Sequence, residues 1–191
     1  MADDSREFIE DRQAIEACQN GDRDAFEPIV RRYAARATGV ARSILRDSAL
    51  AEDAAQEAFV RAFRAIGRFD TKEPFYPWFY RILKNVCLTK LKRKRVTVFS
   101  IDAEDAPPLE APPRDPSSAA SHKELRATIQ DAMDTLSDAH REILHLAHFE
   151  HLSYKEIAAC LGIPVGTVMS RLWAARKKLK TVLGPRLQIG E

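Results

Sequence analysis

Cysteine is scarce in this sequence. Cys18, Cys87 and Cys160 are odd in number, far apart, and lack the paired spacing used in zinc or redox chemistry. They read as small apolar residues in a reducing compartment, which excludes a disulfide framework and gives no support to a secreted role. No uninterrupted apolar run reaches membrane-spanning length, so membrane insertion is not expected. The opening MADDSREFIEDR is acidic where a secretory signal starts basic and turns apolar, and the expected location is therefore cytoplasmic. His140, His145, His148 and His151 lack a recognised arrangement with a nearby carboxylate or thiol, so no metal is expected. A clustered nucleophile, base or ligand set is missing too, which argues against an enzyme, a cofactor or a small-molecule substrate.

Acidic residues are absent from one long stretch, 165–189, and that absence leads to what is present. Residues 153–183, SYKEIAACLGIPVGTVMSRLWAARKKLKTVL, spell a helix, a tight turn and a second helix. Ser153 with Glu156 three residues on forms a capping box, each able to satisfy an amide the first turn leaves unpaired. Ile157, Ala158 and Leu161 share one face, and Gly162 suits the left-handed conformation that ends such a helix. Pro164 is tolerated where the next helix starts, near Pro164 or Val165. Val168, Leu172, Ala175 and Leu179 form its buried stripe, while Thr167, Ser170, Arg171, Arg176, Lys177 and Lys180 occupy the other face. A one-signed basic face of this kind suits the phosphate-lined major groove, as in a helix-turn-helix.

The chain is 191 residues long, 45% hydrophobic and 30% charged, with a formal charge of +2 that hides segregated blocks. Two small domains fit that length and segregation. Residues 1–10 are polar and expected to be loosely ordered, with a short helix over 11–19 and a turn at Asn20 and Gly21. Asp22 caps a longer helix in which Phe26, Ile29, Val30, Tyr33, Ala37, Val40, Ala41, Ile44 and Leu45 recur every three or four residues. That period leaves Arg31, Arg32, Arg36 and Arg42 mostly outward, and Pro28 predicts a kink or a restart. A helix over 50–66 buries alanines and phenylalanines and turns Asp53, Gln56, Glu57, Arg61 and Arg64 to the other side. After Gly67 the loop RFDTKEPFYP leads to a helix over about 77–93 that runs into KLKRKR at 90–95.

Phe69, Phe75, Tyr76, Trp78 and Tyr80 beside that basic run have two readings. Bases taken out of a duplex stack on aromatic faces while lysine and arginine track phosphates. Any single ring is more simply core, because aromatics bury large areas. Both can hold at once. Residues 96–122 then turn to proline, alanine and serine, with Asp102, Glu104, Asp105, Glu110 and Asp115 against Arg114 alone. They lack periodic apolar residues and read as a flexible acidic linker. Beyond it, Leu125, Ile129, Ala132, Met133 and Leu136 predict one helix, and Ser137 with Asp138 begins another carrying Ile143, Leu144, Ala147 and Phe149. With the helix-turn-helix these make a four-helix domain.

The order AEDAAQEAF, WFYRILKNVCLTKLKRKR, acidic linker, then LSDAHREILHLAHFEHLSYKEIAACLGIPVGTVMSRLWAARKKL resembles a bacterial sigma factor of the sigma-70 family, extracytoplasmic-function type. The resemblance covers about 22–183. It implies an all-α fold of two small helical domains joined by the linker: a flexible N-terminus (1–10), a region 2-like domain (11–95), the linker (96–122), a region 4-like helix-turn-helix domain (123–185) and a tail (186–191). It further implies core RNA polymerase and promoter DNA as partners, and an anti-sigma factor as regulator. The polymerase-binding positions map to Asp53, Gln56, Glu57 and Arg61. Those for the melted −10 strand map to Phe69, Phe75, Tyr76, Tyr80, Lys84, Asn85, Lys92 and Arg93, with Trp78 anchoring the loop from within. Those for the −35 duplex map to Thr167, Ser170, Arg171, Trp173, Arg176 and Lys177.

Departures from the family pattern are Met169 and Ala174, where relatives often carry a basic residue, His151 at a turn where glycine is common, and Pro28. Thinner direct base readout and more shape readout are expected to follow from the first two. The competing reading is a stand-alone regulator with the same helix-turn-helix. It would need a dimer seam or a sensor domain, which the sequence does not offer, and it leaves the aromatic-basic block without a role.

Overall fold

The computed structural model describes residues 2–100, 128, 129 and 131–187. The predicted linker therefore lies largely outside the described residues, as do the start of the next helix and the end of the C-terminal tail. Among the described residues all regular elements are helical, and the chain divides into two compact units.

The first unit contains α1 (Ala2–Gln19), α2 (Glu27–Leu45), α3 (Ser48–Ala65) and α4 (Phe75–Ser100). A 3-10 turn, Asp24–Phe26, precedes α2, and Asp22 accepts the amides of Asp24 and Ala25 there. Pro28 falls in the first turn of α2, so the restart reading holds and no ladder bond is lost. Asp47 caps α3 by accepting the Leu50 amide at 3.1 Å. The interior face of α3 is nearly all alanine: Ala51, Ala54, Ala55, Ala58 and Ala62 are buried, which lets α2 and α4 approach closely on either side.

Two boundaries differ from expectation. Helix α1 begins at Ala2, not at Asp11, because Glu7, Glu10 and Asp11 gain partners on α2 that the sequence alone does not reveal. Helix α4 begins at Phe75 and continues through Ser100, past the expected linker start at 96. After Pro77, which falls in the first turn of α4, no proline or glycine occurs before Pro107, and leucine, lysine and arginine are good helix formers.

The second unit contains α5 (Asp138–His148), the first turn of α6 (Tyr154–Leu161) and α7 (Val165–Leu187), preceded by helical residues 131–134. Ser137 caps α5, its Oγ accepting the His140 amide. The capping box at α6 is complete: the Ser153 amide donates to Glu156 at 2.8 Å, and the Glu156 amide donates to Ser153 Oγ at 3.3 Å. Gly162 has φ +66° and ends α6, and the Pro164 carbonyl accepts from Thr167 and Val168 as α7 begins. His151 also lies in the left-handed region at φ 51°, a conformation that explains why glycine suits this turn. Val168, Leu172 and Ala175 are buried as the period requires.

Candidate polymerase and nucleic-acid interfaces

The outer side of α3 carries Asp53, Gln56, Glu57 and Arg61 at helical spacing, with Glu57 half-buried and the others exposed. Three of the four are joined in one ionic chain. Arg61 donates to Glu57 at 2.6 Å, and Lys90, from α4, bridges Glu57 at 2.9 Å and Asp53 at 2.5 Å. Lys90 holds Glu57 below the ordinary carboxylate range, and the two acids hold Lys90 above the ordinary lysine range. Lys90, which sequence reasoning assigned to the nucleic-acid run, thus joins the outer side of α3. A neighbour 37 positions from Asp53 leaves no local signal.

The basic run therefore divides by helical face. Lys90 and Lys94, four apart, turn to α3, where Lys94 reaches the capping Asp47 at 3.4 Å. Lys92 and Arg93 lie on the exposed side with Asn85, and Lys84 is half-buried. Such a split neutralises the acidic side of α3 and keeps a separate cationic face.

The aromatic residues take up the core reading. Phe69, Phe75, Tyr76 and Tyr80 are only 7%, 2%, 5% and 1% exposed. Phe75 lies 5.6 Å from Phe79 in a stacked pair and 6.0 Å from Phe69 edge-on, while Tyr76 stacks on Tyr33 at 5.4 Å. The physical reason is size: rings this large in a small helical unit supply its core, and their faces are used on one another. Trp78 is half-buried and sits 4.9 Å from Phe69, in keeping with an anchoring role for the loop before α4. Gln19 secures the same loop by donating to the Ile66 and Phe69 carbonyls, both at 2.8 Å.

A second feature escaped the sequence reading. Asp11 is 4% exposed and accepts from both Arg32 and the Tyr33 hydroxyl, so Arg32 is turned inward rather than outward. Tyr33 also lies 2.8 Å from Glu7, yet its hydroxyl has a single proton for two carboxylates. Burial, the largest effect, pushes the Asp11 carboxyl up in spite of Tyr33 and Arg32. This network fastens α1 onto α2.

In the second unit, Thr167 and Arg171 are half-buried, and Ser170, Trp173, Arg176 and Lys177 are exposed along α7. Ser170 Oγ donates to the Thr167 carbonyl at 3.2 Å, Arg176 Nε donates to His148 Nε2 at 3.3 Å, and the Lys177 ammonium lies 5.1 Å from the Trp173 ring centroid. His145 stacks on Phe149 at 5.2 Å. No group of three or more potential metal ligands gathers among the described residues. Burial pushes the Cys87 thiol up to about 11, which suits an inert apolar role.

Known proteins resemble this chain throughout its length. The family described as Sigma-70 region 2 matches residues 29–97, and Sigma-70, region 4 matches 126–179. The RNA polymerase sigma-H factor of Pseudomonas aeruginosa is 36% identical over 186 residues, covering 94% of this chain and 96% of that protein. This chain is an extracytoplasmic-function sigma factor of the sigma-70 family. The ECF RNA polymerase sigma-E factor of Escherichia coli K12, 31% identical across 95% of this sigma factor and 98% of its own length, agrees. Among solved structures, CnrH in complex with the cytosolic domain of CnrY matches with a TM-score of 0.70 and 27% identity, over 92% of this chain and 98% of that one. RpoE from Bartonella quintana, in complex with the anti-sigma factor NepR, shares the fold at a TM-score of 0.67. As a sigma factor the protein is an RNA polymerase subunit without catalytic chemistry of its own.

Proposed function

We propose that this sigma factor docks on core RNA polymerase through the outer side of α3, engages the melted −10 strand along α4, and reads the −35 duplex with α7. The observation that carries the reading is the division of surfaces: an ion-paired polar side on α3, a cationic side on α4, and an α7 whose exposed charges are all positive. Asp53, Gln56, Glu57 and Arg61 are the proposed polymerase contacts. Lys84, Asn85, Lys92 and Arg93 are the proposed −10 contacts, with Phe69, Phe75, Tyr76 and Tyr80 as the floor beneath the loop. Capture of a base by Phe69 requires the loop to turn that ring outward, at a cost that stacking offsets. Thr167, Ser170, Arg171, Trp173, Arg176 and Lys177 are the proposed −35 contacts. The protein works where core polymerase is, in the cytoplasm.

Regulation by an anti-sigma protein belongs to the same proposal. It is supported by the likeness to CnrH, which was solved with the cytosolic domain of CnrY. The partner would cover the polymerase-binding and DNA-binding faces.

The test is a gel-shift titration on a promoter probe with a pre-opened downstream bubble, with and without core polymerase, for wild type and Glu57→Arg. Binding that requires polymerase and is lost in the variant is expected. Tight sequence-specific binding by the protein alone, indifferent to Glu57, would favour the stand-alone regulator.

A further inference from the structure

The outward side of α7 carries an apolar stripe. Val165, Met169 and Trp173 recur every four residues and are 38%, 55% and 65% exposed. Four-residue spacing stacks them along one line of the helix, in the turns a reading helix presents to base edges. The donors among the proposed −35 contacts, Thr167, Ser170 and Arg171, lie off that line around the helix. Gly166 has no side chain, the Ser170 hydroxyl is spent on the Thr167 carbonyl at 3.2 Å, and Thr167 and Arg171 are half-buried. The cations gather further along, at Arg176, Lys177, Lys178 and Lys180, where they suit phosphates. The helix thus has an apolar reading end and a cationic trailing end, with no acidic residue over 165–189 to oppose DNA.

In the major groove, the apolar group that marks a base pair is the thymine 5-methyl; the other distinguishing groups there are hydrogen-bond donors and acceptors. A polar edge facing an exposed methionine or valine would lose its water without gaining a partner, whereas a methyl group loses unfavourable hydration. We infer that Met169, with Val165, reads thymine methyl groups in the upstream promoter duplex, so that this sigma factor specifies T·A pairs there by apolar contact. Trp173 borders that contact, held beneath Lys177 at 5.1 Å. The inference rests on the proposal that α7 enters the −35 duplex.

The experiment uses the full chain with core polymerase. A duplex randomised in the upstream element is first selected for binding. Each thymine of the selected site is then replaced singly by deoxyuridine, which removes the methyl and keeps every hydrogen bond. One or two positions are expected to weaken by about fourfold, the worth of one buried methyl. Met169→Ala should bind the thymine site about as weakly as wild type binds the deoxyuridine site, and should show no further loss on deoxyuridine. Met169→Leu should restore the sensitivity. Enrichment of a sequence whose thymines can all be replaced without loss overturns the inference and leaves the stripe to a protein partner. Absence of any enrichment overturns the underlying −35 proposal instead.

Discussion

The two units of this protein use aromatic side chains in opposite ways. In the first, Phe26, Phe59, Phe75, Tyr76, Phe79 and Tyr80 are buried against one another. In the second, the core is aliphatic, built on Ile143, Leu144, Leu146, Ile157, Val168 and Leu172, while Trp173 and Phe149 stand 65% and 63% exposed. The first unit exposes aliphatic Ile9, Val60 and Leu88 rather than an aromatic ring, and it ties many of its surface charges in pairs. The second keeps apolar surface on the helix expected to read DNA. An aromatic residue in the sequence is thus not by itself a binding residue; the packing around it decides.

The largest effect should come from breaking the aromatic core. Phe79 stacks on Phe59 at 4.5 Å and on Phe75 at 5.6 Å, so Phe79→Ala should cost about 3–5 kcal/mol. Urea unfolding followed at Trp78 should shift sharply, while Trp173, in the other unit, reports an unchanged transition. A shift of both together would show that the two cores unfold as one.

Next is the buried acid. The folded state raises the Asp11 pKa, chiefly through burial, and so binds that proton more tightly than the unfolded chain. Its contribution is full below the unfolded carboxylate pKa and is lost as pH rises through the folded value. The urea midpoint of the first unit should carry that falling component in wild type and lack it in Asp11→Asn. Identical slopes for the two would place the titration elsewhere.

Removing the α6 cap sharpens the comparison from the other side. Ser153→Ala loses the acceptor for the Glu156 amide and should cost about 1 kcal/mol, confined to the second unit. Thermal unfolding read at Trp173 would detect it.

The smallest effect is expected at His148. Burial first, then Arg176, holds it below the ordinary histidine range, so its neutral Nε2 accepts from Arg176. With a depressed folded pKa, the contribution is present above the unfolded value and lost as pH falls. Because His148 is exposed, only a slight loss of second-unit stability is expected between pH 7 and pH 5, absent in His148→Gln, by pH-dependent denaturation.

Much of the second unit was legible because its signals are local. Ser153 and Glu156 are three residues apart, Gly162 and Pro164 two, and the Val168 stripe follows the helical period. The −35 candidates on α7 were readable for the same reason, although the exposure of Val165 and Met169 was not. In the first unit the polar candidates on α3 were legible as a helix face, but their partner Lys90 was not. Of the two readings the sequence left for the four aromatic candidates, only the packing shows that their rings serve the core.

The sequence by itself determined the helices, their caps, the helix-turn-helix and the kinship with sigma factors, because each depends on spacing within a few turns or on motif order. The tertiary structure alone decided which rings face inward, that Arg32 turns to Asp11, and that Lys90 belongs to the α3 surface. Those outcomes depend on partners tens of residues away, and a helix face acquires its role only when a neighbouring helix covers it or leaves it open.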